Sequence, residues 1–233
     1  MQSTALHLEH WDPHRFDDEM IFEHDGFYAQ LCMTPESLDI AYELRYRAYR
    51  NAEAISPNTS RRTHDHFDEQ PNTRTHLIWH QGKPVASVRS AIWSDRYNYL
   101  PTEGINAFRS AVESSLGLDG NILESCRYVT DPDFTGRKSL TAQLLLFRIQ
   151  DLSSRYDDCS TIITAVRQRH VPFYERMLGF QTISESTRLD WIDAEIVLLA
   201  TGQKESRQIV MKRGMPECSE SEVNRYFELC SNL

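Results

Sequence analysis

Arg167-Gln168-Arg169-His170-Val171-Pro172-Phe173-Tyr174-Glu175-Arg176-Met177-Leu178-Gly179-Phe180 reads as a short helix that presents a tyrosine and ends on a glycine. Gly179 is the residue type that stops a helix and hands the chain to a following strand. Just upstream, Thr161-Ile162-Ile163-Thr164-Ala165-Val166 has the β-branched content of a buried strand. Before it, Leu140 to Tyr156 is a long helix, apolar along Leu144, Leu145, Phe147 and Leu152. Ile122 to Val129 is a strand of mixed polarity, and Ala194 to Ala200 a final strand. The C-terminal half is thus strand, helix, strand, helix, strand.

The N-terminal half completes a sheet. Phe27 to Met33 reads as a first strand, and Thr34-Pro35-Glu36 opens a helix with Thr34 as N-cap and Pro35 in its first position. Leu38, Ala41, Tyr42, Arg45 and Tyr49 follow at helical spacing. Residues 56–74 are a long polar loop, of the kind that is usually functional inside a compact domain. His76 to His80 and Val85 to Arg89 flank a Gln81-Gly82-Lys83-Pro84 turn and read as a hairpin. Residues 103–116 form an amphipathic helix, and 219–231 a C-terminal helix capped by Ser219 or Ser221. The order predicts an α/β fold, a mixed central sheet with helices on both faces and parallel neighbours in its C-terminal half. Residues 1–24 are expected as an N-terminal extension, 25–202 as the main domain and 203–233 as a C-terminal helical extension.

Composition narrows the partners. With 233 residues and 40% apolar content, the chain can bury a substantial core. A formal charge of −9 argues against general nucleic-acid or anionic-membrane binding. Five scattered cysteines without a C-x-x-C pair read as reduced thiols of a cytoplasmic protein. The acidic, His-bearing N-terminus lacks the apolar core of a secretory signal, and no run is long enough to span a membrane.

Five short motifs, in order along the chain, then carry a resemblance. Arg167 to Phe180 resembles the last helix of the Gcn5-related N-acetyltransferase (GNAT) fold, whose tyrosine faces a thioester sulfur. Leu44-Arg45-Tyr46-Arg47-Ala48-Tyr49, the D-x-x-D of Asp65 and Asp68, Gly82 to Arg89, and Glu124-Ser125-Cys126-Arg127 are similar to segments of two related families. These are the acyl-homoserine lactone synthases and the N-acyl amino acid synthases, N-acyltyrosine synthases included. Arg169-His170-Val171-Pro172-Phe173-Tyr174 resembles the latter, and Ile55 stands where the former usually carry tryptophan. Gln168 replaces a common proline, Cys126 a usual serine, and Tyr49 a frequent phenylalanine.

The resemblance implies a GNAT-like enzyme that moves a medium or long fatty acyl group from acyl carrier protein to the amine of an amino acid or similar small acceptor. An acyl-homoserine lactone synthase using S-adenosylmethionine is one alternative, and a non-catalytic GNAT-fold protein that binds an acyl group or a partner is another. Amide formation from a thioester needs a neutral amine, a polarised carbonyl and a protonated leaving thiolate. Glu124 is the candidate base, or else an ion-pair partner of Arg127 or Arg89. Tyr174 is the candidate acid for the thiolate, or else a core aromatic. Asp65 and Asp68 with Arg45, Tyr49, Arg89 and Arg127 are expected around the acceptor, bidentate arginine suiting its carboxylate.

The thioester carbonyl is expected against backbone N–H groups near Tyr128 and Val129, at a strand bulge. Gly136, Arg137 and Lys138 are expected to hold a phosphate of an acyl-phosphopantetheine co-substrate, on carrier protein or CoA, at a helix N-terminus. Arg137, Lys138, Arg148, Arg167 and Arg169 are a candidate basic face for an acidic carrier protein. Phe134, Leu144, Leu145 and Phe147 belong to the core or to an acyl tunnel. No metal is expected, because His64, Asp65 and His66 crowd together without a recognised zinc spacing, and no permanently bound cofactor is expected.

Overall fold

The computed structural model describes residues 13–101, 106–116, 120–189, 194–215 and 217–233. In chain order the elements are β1 (Met20–His24), β2 (Phe27–Leu31), α1 (Pro35–Asn51), β3 (Thr73–His80), β4 (Lys83–Trp93), α2 (Asn106–Leu116), β5 (Asn121–Thr130) and α3 (Arg137–Tyr156). Then come β6 (Cys159–Arg167), α4 (Val171–Leu178), β7 (Gln181–Thr182), β8 (Thr187–Leu189), β9 (Ala194–Gly202), α5 (Gln203–Lys212) and α6 (Glu220–Ser231). One sheet runs in the order β1-β2-β3-β4-β5-β6-β9-β7, with β8 also paired to β9.

Local chemistry explains the boundaries. Thr34 caps α1, its hydroxyl accepting the Ser37 N–H at 3.3 Å, and Pro35 occupies the first turn where no N–H is needed. The β3–β4 turn puts Gln81 and Gly82 at φ +47° and +76°, the paired positive values a two-residue hairpin turn demands. Gly179 ends α4 at φ +72°, and a Cβ there would sit 2.3 Å from Ile209 Cδ1. Ser219, one of the two expected caps, accepts the Glu222 N–H and opens α6.

Three features depart from the sequence expectation. Met20–His24 forms the edge strand β1, inside the segment expected as an extension; the part of that segment before residue 13, with His7 and His10, lies outside the described residues, as do 103–105. Helix α5 continues directly from β9, with Val210 buried in the core. Finally, only the β5–β6 pair is parallel among the described strands. Helix α4 does return the chain so that β6 and β7 run the same way, but β9 inserts antiparallel between them.

The sheet buries both faces. Helices α3 to α6 cover one, where Leu145, Leu146, Ile149 and Leu152 are fully buried. Helices α1 and α2 cover the other, with Leu44 against Leu77 and Phe108 against Ile122 and Ile163. Each such side chain contributes about 2 kcal/mol by leaving water.

The feature that makes a site is a split in this sheet. Strand β5 pairs with β6 only from Asn121 to Glu124. Beyond Glu124, β5 stays with β4 to Thr130 while β6 stays with β9 to Arg167, so the two part. A bulge drives the parting: Ser87 opposes Val129 and Arg89 opposes Cys126, so Arg127 and Tyr128 both face Val88. Arg127 takes φ +54° there, and the extra residue bends and twists the strand. At the fork, the Thr164 hydroxyl donates to the Ser125 carbonyl (2.8 Å), replacing a lost ladder bond.

Candidate active site

The split opens into a cavity of about 830 Å³. Among residues singled out in the sequence, Glu124, Tyr174, Tyr49, Asp65, Arg89, Arg127, Tyr128 and Val129 all line it. They come from α1, the 65–68 turn, β4, β5 and α4, which are brought together only by the sheet. Arg45 and Asp68 do not line it; both side chains are 0% exposed, behind the wall.

The charge cluster is internally paired. Asp65 caps the short turn His66–Glu69, accepting the Phe67 N–H, while Asp68 accepts the Asp65 N–H at 2.9 Å. This reciprocal capping box explains the D-x-x-D spacing. Arg45 donates to Asp68 Oδ1 (2.7 Å) and to the Thr75 hydroxyl (2.9 Å). Arg89 donates to Asp65 (2.6 Å) and to Cys126 Sγ (3.3 Å), and lies 3.1 Å from Asp68 Oδ1. Arg127 donates to Asp65 Oδ2. Burial alone would push both aspartates up, but the neighbouring guanidiniums outweigh it: Arg89 and Arg127 hold Asp65 well below the usual carboxylate range, and Arg45 and Arg89 hold Asp68 down.

Glu124 is 1% exposed and sits on β5 next to this cluster. Its charge reaches Cys126, whose thiol is pushed up to about 11 by burial, with Arg89 lowering it and Glu124 raising it. That thiol is protonated at neutral pH and accepts the Arg89 Nε–H.

Across the cavity, Tyr174 is 5% exposed and belongs at once to the wall and to an aromatic cluster. Its ring meets Phe147 and Phe180 edge-on, at centroid distances of 6.1 and 5.5 Å, and Tyr128 stacks on Phe147. Burial raises the Tyr174 phenol well above its ordinary value, a hydrogen bond with Thr164 offsetting part of that. Tyr128 is raised likewise by burial and by Tyr174, and its hydroxyl donates to the Gln143 carbonyl (2.9 Å).

The helix N-terminus expected to take a phosphate is present but lies off the cavity wall. Gly136 caps α3 at φ +79° with no side-chain cap bond, and Lys138 Nζ is 3.1 Å from His80 Nε2. Arg47 ties α1 to this loop through Asp131 (2.8 Å) and Asp133 (3.0 Å). The five-cation face is not formed as expected: Arg148 is buried against α6, donating to Glu222 at 2.6 Å and to Cys218. Leu144, Leu145 and Phe147 are core, and Phe134 packs against it. Phe147 and Ser125 also border a second void of about 30 Å³ between α3 and α5. His64 stacks on Tyr42, and His66 lies against Phe67.

Several wall residues carried no assignment in the sequence: Phe67, Gln143, Thr164, His170, Phe173 and Ile196. Phe67 lay inside the D-x-x-D, and His170 and Phe173 inside the Arg167–Phe180 segment; the other three lay in no motif.

A family model for the N-acyl amino acid synthase FeeM matches residues 40–202. No curated protein matches the chain. Among solved structures, FeeM, an N-acyl amino acid synthase from uncultured soil microbes, superposes with a TM-score of 0.65 at 15% identity, covering 82% of this chain and 98% of its own. The acyl-homoserine lactone synthase LasI gives 0.61 at 16% identity, covering 83% and 98%. BjaI, a CoA-dependent acyl-homoserine lactone synthase solved with SAM and isopentyl-CoA, gives 0.53 at 14% identity, covering 81% and 90%. At such identities the likenesses show a shared fold.

Proposed function

The chain belongs to the FeeM family of N-acyl amino acid synthases, GNAT-like acyltransferases, and from that premise we propose that it transfers a medium or long fatty acyl group from acyl carrier protein to the amine of an amino acid. What supports this most is the cavity at the split, where a carboxylate, a phenol and a strand bulge face one space. The acyl thioester lies along β5 with its carbonyl oxygen against backbone N–H groups near Tyr128 and Val129, at the bulge where Arg127 and Tyr128 leave the β4 register. Arranged there, donors stabilise charge that develops only in the transition state.

Glu124 takes a proton from the ammonium of the acceptor, directly or through water, and the neutral amine attacks the thioester carbon. The C–N bond forms, the tetrahedral intermediate collapses and the C–S bond breaks. Tyr174 donates a hydrogen bond to the departing sulfur. Because burial raises its phenol above an ordinary thiol, complete transfer of that proton is uphill, and the proton removed from the amine finally neutralises the thiolate. Asp65 and Arg127, on the wall, shape the acceptor side; Arg45 and Asp68 hold that wall from behind. Gly136, Arg137 and Lys138 receive the carrier's phosphopantetheine phosphate at the start of α3.

The test is mass spectrometry of organic extracts from bacterial cultures expressing the chain or its Glu124→Ala variant. New N-acyl amino acids in the first culture alone are the expected result, and they identify acceptor and chain length together. Acyl-homoserine lactones in their place would transfer the assignment to the lactone synthases. No new lipid from either soluble protein would count against amide synthesis.

A further inference from the structure

The arginines expected to grip an acceptor carboxylate are committed inside the protein, Arg45 to Asp68, Arg89 to Asp65 and Cys126, and Arg127 to Asp65. A carboxylate entering the cavity therefore calls for a different cation. The wall carries one in Arg169, just after the end of β6. Its Nε–H donates to the neighbouring His170 Nε2 at 3.0 Å, and no carboxylate pairs with it among the described residues. That bond turns the guanidinium so that its two terminal amino groups remain as a donor fork, the geometry that matches a carboxylate. It also sets the tautomer: with Nε2 accepting, the neutral imidazole carries its hydrogen on Nδ1 as a further donor. Burial and the charges of Arg169 and Arg167 keep His170 below its ordinary value, hence neutral near pH 7.

Position agrees with this chemistry. Thr164 to Val166 face the β5 bulge across the split, and Arg169 follows three residues later, in the short turn Gln168–His170 that ends β6. Arg167 pairs with Ile196 and donates to the Ala52 carbonyl, which anchors the turn against β9 and the end of α1. Ile196 shares a core with Ile122, on the same face of β5 as Glu124. The fork thus borders the acceptor side, away from the start of α3.

Building on the amide-forming role of this cavity, we propose that Arg169, oriented by His170, is the subsite for the acceptor's carboxylate, so that the enzyme selects α-amino acids over amines that lack one. The test uses the purified full chain, a fatty acyl carrier protein as donor and thiol release as readout. Leucine, phenylalanine, tyrosine and asparagine are each compared with their α-carboxamides. Wild type is expected to show a lower KM for the acids. Arg169→Gln is expected to raise the KM of the acids about tenfold, the scale of one charge-assisted contact at a solvated rim. Carboxamide and donor KM should stay within about twofold, and Arg169→Lys should fall between.

An unchanged acid KM in Arg169→Gln, or a rise confined to the donor KM, would overturn the assignment, the second result giving this arginine to the donor phosphate. Wild type acylating acids and carboxamides alike would overturn it too, while leaving N-acyl transfer intact. Failure of wild type to acylate any amine would instead remove the amide-forming role itself, and the subsite with it. The melting temperature of Arg169→Gln is measured alongside and should match wild type, since the side chain is exposed.

Discussion

Asp68→Asn separates the wall of the cavity from its support. Asp68 and Arg45 are both 0% exposed at the side chain and 2.7 Å apart. Asp68 Oδ1 also lies 3.1 Å from Arg89 Nη1, and its Oδ2 accepts the Asp65 N–H. Asparagine keeps one acceptor and turns the other into a donor, which must then face either the Asp65 N–H or a guanidinium. Breaking a buried pair while its partner stays charged costs about 3–5 kcal/mol. For a chain of 233 residues each kcal/mol lowers the melting temperature by about 2–4 °C, so a central 4 kcal/mol predicts a fall of about 8–16 °C. Differential scanning fluorimetry measures that fall, and acceptor KM is taken at a temperature where the variant is still folded. With Asp68 behind the wall, KM there should stay within about threefold of wild type. A melting point within about 2 °C of wild type together with a large rise in acceptor KM would refute the reasoning and return Asp68 to the binding surface.

Three further outcomes are expected. Glu124→Gln, nearly isosteric at a 1% exposed position, should lower kcat about 100-fold or more while melting within a few degrees of wild type; thiol-release kinetics at half wild-type activity would end its role as base. Tyr174→Phe keeps the ring against Phe147 and Phe180 and removes only the hydroxyl, so single-turnover acyl transfer should slow about 10–100-fold with donor KM unchanged, and an undiminished rate would leave Tyr174 as core alone. His76 is fully buried, and burial, then Arg74, lowers it to about 3. The unfolded imidazole binds its proton near pH 6.5, so this stability is complete above that pH and falls by about 1.4 kcal/mol per unit below it, about 2 kcal/mol by pH 5. Urea midpoints at pH 7 and 5 should therefore diverge more for wild type than for His76→Gln, and parallel shifts would contradict the assignment.

Which of these residues announced themselves in the sequence follows from how local their causes are. Thr34-Pro35 and Gly179 act within a single turn, so α1 and the end of α4 were readable from composition. The capping box that joins Asp65 to Asp68 spans four residues, and its spacing was visible as D-x-x-D. By contrast, β1 has only five residues and its two buried ones, Ile21 and Phe22, are adjacent, so they showed no strand period of two. Helix α5 starts where β9 stops, on Gly202, which has no side chain to act as N-cap; only the Glu205 carboxylate, accepting the Gly202 N–H at 3.1 Å, closes its first turn.

The sequence by itself determined the family, the order of strands and helices in the C-terminal half, and the residue types the chemistry needs, because each depends on a few neighbours along the chain. Only the tertiary structure decided which of those residues meet. Whether Arg45 and Asp68 face the cavity or lie behind it depends on a contact 23 residues apart in sequence, and the burial of Arg148 depends on one 74 residues away. The split between β5 and β6 depends on a bulge measured against β4 and on β9 inserting between β6 and β7. Such pairings are set by the summed burial of both sheet faces, a quantity that no local stretch of sequence carries.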